Sequence, residues 1–253
     1  MTEWIFGVIT LFTQLIEALA GFGATAVGLP FAALVMSTQD ASAILNINAV
    51  LVTSVITVIH FKKINWREYR RIVLLILPFL PVGFLIGSSL RDYDMILKMI
   101  LGIFMLLIAG RYLLYTFIRK SAPTPMSMPA QYTALFLGAV IHGIFTTGGP
   151  LVTLYASNRM PEKSEFRATM CASWTTINLV VIAYRGLIAH MYTPALLHTL
   201  LISLPFLAVG ILAGQWIHKK IRNDTFQKVV YWILLAGGAL SLYTGFTALL
   251  KIL

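Results

Sequence analysis

The chain is short of charge, and shortest of acid. Only 11% of its 253 residues are charged, and nine Asp and Glu stand against nineteen Lys and Arg. A soluble domain carries about 25% charged residues, so this composition does not supply a water-solvated surface. The single cysteine, Cys171, excludes an internal disulfide and a thiol metal site, and reads as a small apolar helix residue. His60, His190, His198 and His218 have no metal-ligand spacing. No metal or cofactor is therefore expected. Paired catalytic carboxylates and a Ser/His/Asp set are also missing from the apolar segments, which leaves an intramembrane hydrolase on Glu17 and His142 as the weakest function class. No basic residue precedes the first apolar run at Trp4, so no cleavable secretory signal is expected.

What the chain does have is apolar length. Hydrophobic residues make up 58% of it, and six runs approach or exceed the roughly 20 residues that a bilayer crossing needs. They are Ala41 to Phe61, Ile72 to Leu90, Met95 to Ile118, Glu165 to Tyr184, Pro194 to Ile217 and Phe226 to Leu250. Two more runs, Trp4 to Met36 and Ala130 to Ser157, are apolar but interrupted by glycine, proline and threonine. The reading is an all-α integral membrane protein forming one membrane domain over 1–253. The net charge of +10 sits in short loops, which argues for membrane orientation and against a nucleic-acid partner.

The sequence repeats itself. "PFLPVGFLIG" (Pro78 to Gly87) and "PFLAVGILAG" (Pro205 to Gly214) agree at seven of ten positions. In the same register Asn46 and Asn48 fall opposite Ser173 and Thr175, and "GFGATAVGLP" (Gly21 to Pro30) lies near the counterpart of "GIFTTGGPLV" (Gly143 to Val152). Two repeats, 1–120 and 129–253, each hold one interrupted segment and three plain helices. If all eight segments crossed the membrane, the basic residues would split ten to nine and orient nothing. If segments one and five are re-entrant hairpins, fifteen fall on one face and only Arg91, Lys98, Arg185 and Lys251 on the other. Cytoplasmic loops collect Lys and Arg, so the second arrangement is expected, with both termini extracytoplasmic. Three crossings per repeat invert the second repeat relative to the first, an architecture common among secondary transporters.

Unwound backbone survives in a membrane only where protein buries it or where it lines a polar cavity. The two tips are therefore expected to meet near the midplane and bind a small anion through free N–H groups at restarting helices. Gly21, Phe22, Gly23 and Thr25 in the first tip, and Gly143, Thr146, Thr147, Gly148 and Gly149 in the second, are the candidate ligands. Pro30 and Pro150 are expected in the first turns of the helices that follow. Asn48 and Thr175 are expected to line the cavity, and Arg167 to attract the anion at its mouth. Glu17, the only acid deep in an apolar run, suits proton coupling because burial favours its uncharged form. His142 titrates near neutrality in water and is a second candidate. The plain alternative is that these small residues only allow tight helix packing, which is also the reading for Gly83, Gly87, Gly210 and Gly214.

"QLIEALAGFGATAVGLP", "HGIFTTGGPLVTLY" and "FRA" at Phe166 to Ala168, on this two-fold pattern, resemble the sulfite exporter TauE/SafE family of membrane permeases. The resemblance covers nearly the whole chain. It implies export of a small sulfur anion (sulfite, sulfoacetate or a related organosulfonate) across the bacterial cytoplasmic membrane. It supports Gly21, Gly23, Pro30, Gly143, Gly148, Gly149 and Pro150, and draws attention to Arg167. Ala24, Ala26 and Val27, and Phe145 with its two threonines, depart from the glycine-richer tips of many relatives. An anion channel or uniporter of the same fold is the alternative, and a scaffold subunit a further one. The expected partners are the anion and the lipid bilayer, and a homodimer is compatible with a bundle of this size.

Overall fold

A computed structural model describes residues 2–119, 127–160, 162–218, 220 and 223–251. Lys120, Lys219 and Arg222 of the charge count, and part of the boundary between the two repeats, lie outside the described residues. Every regular element among them is helical: α1 (Thr2–Ala20), α2 (Ala24–Ala32), α3 (Thr38–Ile59), α4 (Trp66–Ile76), α5 (Leu80–Ser89), α6 (Asp94–Leu113), α7 (Met128–Phe145), α8 (Gly149–Arg159), α9 (Lys163–Ala183), α10 (Pro194–His218) and α11 (Asn223–Leu250). The pair α4 and α5 makes one span through a tight turn at Pro78, and π-helical turns extend α6 and α9.

Local chemistry sets the helix starts. Ser37 Oγ accepts the N–H of Asp40, and Asn65 Oδ1 accepts those of Arg67 and Glu68. Glu162 does the same for Ser164 and Glu165 at the start of α9, and these N–H donors hold its carboxyl below the usual carboxylate range.

Among the described residues eight helices are long and apolar enough to cross a membrane, two more than the six plain spans expected to do so. The two additions are α1 and α7, the first arms of the interrupted segments. Nothing in their sequences stops a helix before the tip, so they run for 19 and 18 residues while the return arms α2 and α8 have 9 and 11. At about 1.5 Å per residue, α1 is roughly 28 Å long.

Each interrupted segment is nevertheless a hairpin. In the first, Gly28 of the return arm packs on Thr13 of α1; in the second, Arg159 at the end of α8 donates to Met128 Sδ at the start of α7. The ends of the bundle follow from cross-helix bonds. Thr38 N donates to Asp94 Oδ1, and Arg185 after α9 reaches Ser42, so α3 and α6 begin where α9 ends. There too α10 begins, with His198 against Glu3 of α1. Both limbs of the first hairpin thus open at this end. The second hairpin opens at the other, where Asn65 meets Glu165 and Thr169 of α9.

Close glycine contacts hold the long arms. Gly210 and Gly214 of α10 press on α1, and Gly83 and Gly87 of α5 press on α7. A Cβ on Gly83 would lie 2.3 Å from Val140 O, and one on Gly210 would lie 2.7 Å from Leu11 O.

Candidate functional site

The breaks are shorter than the sequence suggests. Helix α1 ends at Ala20, Gly21 and Gly23 turn the chain with φ of 80° and 104°, and α2 restarts at Ala24. Pro30 therefore lies inside α2, packed on Gly237, and not in a first turn. Pro150 is in the first turn of α8 as expected. In the second hairpin the break is Thr146 to Gly148, with Thr146 at φ 57°. A β-branched residue there stores roughly 1–3 kcal/mol of strain. Gly143 belongs to α7, and its Cβ position is 2.6 Å from Leu80 O. It packs α7 on α5 and does not line the cavity between the tips.

The tips meet. Phe22 lies against Gly149, 3.3 Å from where a Cβ would stand, and packs edge-on to Phe166. Between the hairpins is a cavity of about 20 Å³, room for one water-sized body. Glu17, Gly23 and Thr25 line it from the first hairpin, and His142, Thr146, Thr147 and Gly149 from the second; Ala49 of α3 and Trp174 and Asn178 of α9 help close it.

The cavity sets idle polar groups beside the Glu17 carboxylate. Thr147 Oγ1 and Trp174 Nε1 are buried and without a hydrogen-bond partner among the described residues. Two N–H groups are taken up by titratable side chains. Ala24 N, at the start of α2, donates to Glu17 Oε2 at 2.6 Å. Gly148 N, at the start of α8, donates to His142 Nδ1 at 3.4 Å. The neutral ring then carries its proton on Nε2, which donates to Asn178 Oδ1 at 2.7 Å, while the ring stacks on Trp174. No lysine or arginine lines the cavity.

Asn48, Thr175, Arg167 and Gly21 do not line the cavity. Asn48 Nδ2 donates to Ser203 of α10 at 3.1 Å, and Thr175 Oγ1 bonds to Thr53 and to Cys171 O. Arg167 Nη2 donates to Ala18 O, so its charge sits on the C-terminal carbonyls of α1, where the helix dipole is negative. Gly21 is pressed against the Arg167 backbone. Trp174 and Asn178, which close the cavity, were not singled out from sequence. Among the described residues no three His, Cys, Asp or Glu side chains gather as a metal site requires.

Comparison with known proteins follows the same outline. The profile of the family "Sulfite exporter TauE/SafE" matches residues 6–241. A curated relative, "Probable inner membrane transporter protein TsaS" of Comamonas testosteroni, is 24% identical over 190 residues, covering 71% of this chain and 73% of the relative. No solved structure gives a significant match.

Proposed function

The chain belongs to the sulfite exporter TauE/SafE family, a family of membrane transporters, and from that premise we propose that it is a secondary transporter for a small sulfur oxyanion or organosulfonate. The cavity between the hairpin tips is its substrate site, and alternating access around those tips its mechanism. The observation that carries this reading is the Glu17 carboxylate on the N-terminus of α2. That position is built for an anion, and the chain's own carboxylate holds it.

Coupling follows from the same bonds. Protonation of Glu17 weakens its hold on Ala24 N–H. That proton thus frees one backbone donor for the oxyanion, beside Thr147 and Trp174. A proton and the anion are then favoured together, which is the requirement for coupled movement. With only about 20 Å³ between the tips, a sulfonate enters when the hairpins part.

Matching contacts support the inverted repeat. The long arm of each hairpin packs on the glycine pair of the other half, and the last helices of the two halves, α6 and α11, pack together through Gly102 and Gly238. The basic-residue asymmetry assigns the end bearing Lys62 to Arg71 and the start of α9 to the cytoplasm of a bacterial inner membrane. Export is the direction implied by the family description. Calorimetric titration of the purified protein with sulfoacetate tests the site. Binding that tightens from mildly alkaline to mildly acidic buffer is expected, and no binding of sulfoacetate or sulfite in either buffer would overturn the reading.

A further inference from the structure

The tip cavity makes no use of the second buried arginine on the α9 segment. Arg185 lies in the π-helical turn after α9 and is 2% exposed. Its Nη2 donates to Ser42 Oγ at 2.8 Å, and its Nη1 has no hydrogen-bond partner among the described residues. A buried charge with an idle donor is costly. π-Helical turns are often retained at functional sites. Asp40 lies within electrostatic reach but forms no ion pair with Arg185 among the described residues, so it offsets charge without occupying the free edge of the guanidinium.

Other idle polar atoms belong to the same region. Tyr192 is within electrostatic reach of Arg185, and its Oη is enclosed without a partner among the described residues. Asn46 is fully buried, and neither atom of its amide is bonded among the described residues. It stands one helical turn after Ser42 on α3, and Ala49, the next step on that face, lines the tip cavity. Ser42 donates to Phe145 O, and its hydroxyl is 3.1 Å from that of Thr146 in the second tip. A buried polar face of α3 thus runs from Arg185 to the cavity.

We propose that Arg185, Tyr192 and Asn46 form a second oxyanion site, a station between the tip cavity and the end of the bundle where α3 begins. This rests on the reading of the tips as an anion cavity. The free edge of the guanidinium takes an oxygen of a sulfonate or sulfite, with the phenol and amide N–H groups on the remaining oxygens. The backbone donors of the tip suit one anionic group, and Arg185 supplies the full positive charge that the tip lacks.

The test is titration of sulfoacetate into the purified parent and three variants, Tyr192→Phe, Arg185→Lys and Thr147→Val. Tyr192→Phe removes a hydroxyl that has no partner, so its unfolding temperature without anion stays at the parent value while its affinity falls on the order of tenfold. Arg185→Lys keeps the charge, loses the fork and weakens binding by at least as much. If it does not fold, Tyr192→Phe decides alone. Parent affinity in both of these variants, with Thr147→Val weakened, would overturn the second site and leave the tip site standing. The reverse pattern would keep the arginine site and overturn the tip. A parent that binds no anion would overturn both.

Discussion

Glu17 Oε2 accepts the N–H of Ala24 at 2.6 Å, which places the one acid deep in the first apolar run on the N-terminus of the return helix. The contact joins the two parts of the proposed function, since the carboxylate that occupies the anion position is also the proposed proton carrier. Glu17→Gln preserves the size of the side chain and an oxygen able to accept from Ala24, but removes the charge. Sulfoacetate is expected to bind this variant with an affinity that no longer tightens on acidification. Titration in two buffers checks it, and an unchanged pH dependence would assign the proton to another group.

Thr147 is the direct probe of the second tip. Its Oγ1 has no partner among the described residues, so Thr147→Val removes a hydroxyl that no described protein group satisfies. Stability without anion is expected to hold or to rise by up to about 1 kcal/mol. Sulfoacetate affinity is expected to fall about tenfold or more, because a hydrogen bond to a charged group contributes roughly 1.5–3 kcal/mol. Unchanged affinity would remove Thr147 from the site.

The helix contacts give a prediction that is independent of substrate. A methyl group on Gly83 would meet Val140 O at 2.3 Å, whereas one on Gly110 would meet nothing within 4 Å. Gly83→Ala is expected to destabilise by about 1–3 kcal/mol through overpacking. Gly110→Ala should stabilise by roughly 0.5–1 kcal/mol, since it lies in helix on both sides, where α6 runs on into its π-helical turn. Thermal unfolding in detergent compares them, and equal midpoints would contradict the described packing of α5 on α7.

Hairpin topology is testable by labelling, because Cys171 is buried. Cysteines at Thr2 and Ser37 are expected to react with an impermeant reagent added outside intact cells, and cysteines at Ser127 and Ser157 only after permeabilisation. Thr2 and Ser37 reacting from opposite sides would show that the first segment crosses the membrane.

Much of this was legible in the sequence, for identifiable reasons. Apolar length gave the membrane class, and the Gly-Thr-Pro interruptions marked both places where helices break. The extent of each break was not legible. Gly143 and Pro30 carry breaker residue types, yet the surrounding packing keeps both helical, Gly143 against Leu80 and Gly83 and Pro30 against Gly237. Asn48 and Thr175 were drawn to the cavity by repeat position, but a side chain one or two places along a helix points to another face. They bond to Ser203 and Thr53 instead. Trp174 and Asn178 carried no signal, because an indole and an amide in an apolar helix look like packing until their neighbours are known. Arg185 counted only as a loop charge; its burial beside Ser42 depends on α3 and α9 lying together.

The central claim, a proton-coupled anion site between the tips, meets its most direct test in proteoliposomes that contain this protein alone. The measurement is flux of labelled sulfoacetate with and without an imposed pH gradient. The account predicts accumulation against the anion's own gradient when the pH gradient is present, and none when it is collapsed or when Glu17→Gln replaces the parent. Flux that ignores the pH gradient, with equal rates in parent and variant, would contradict it.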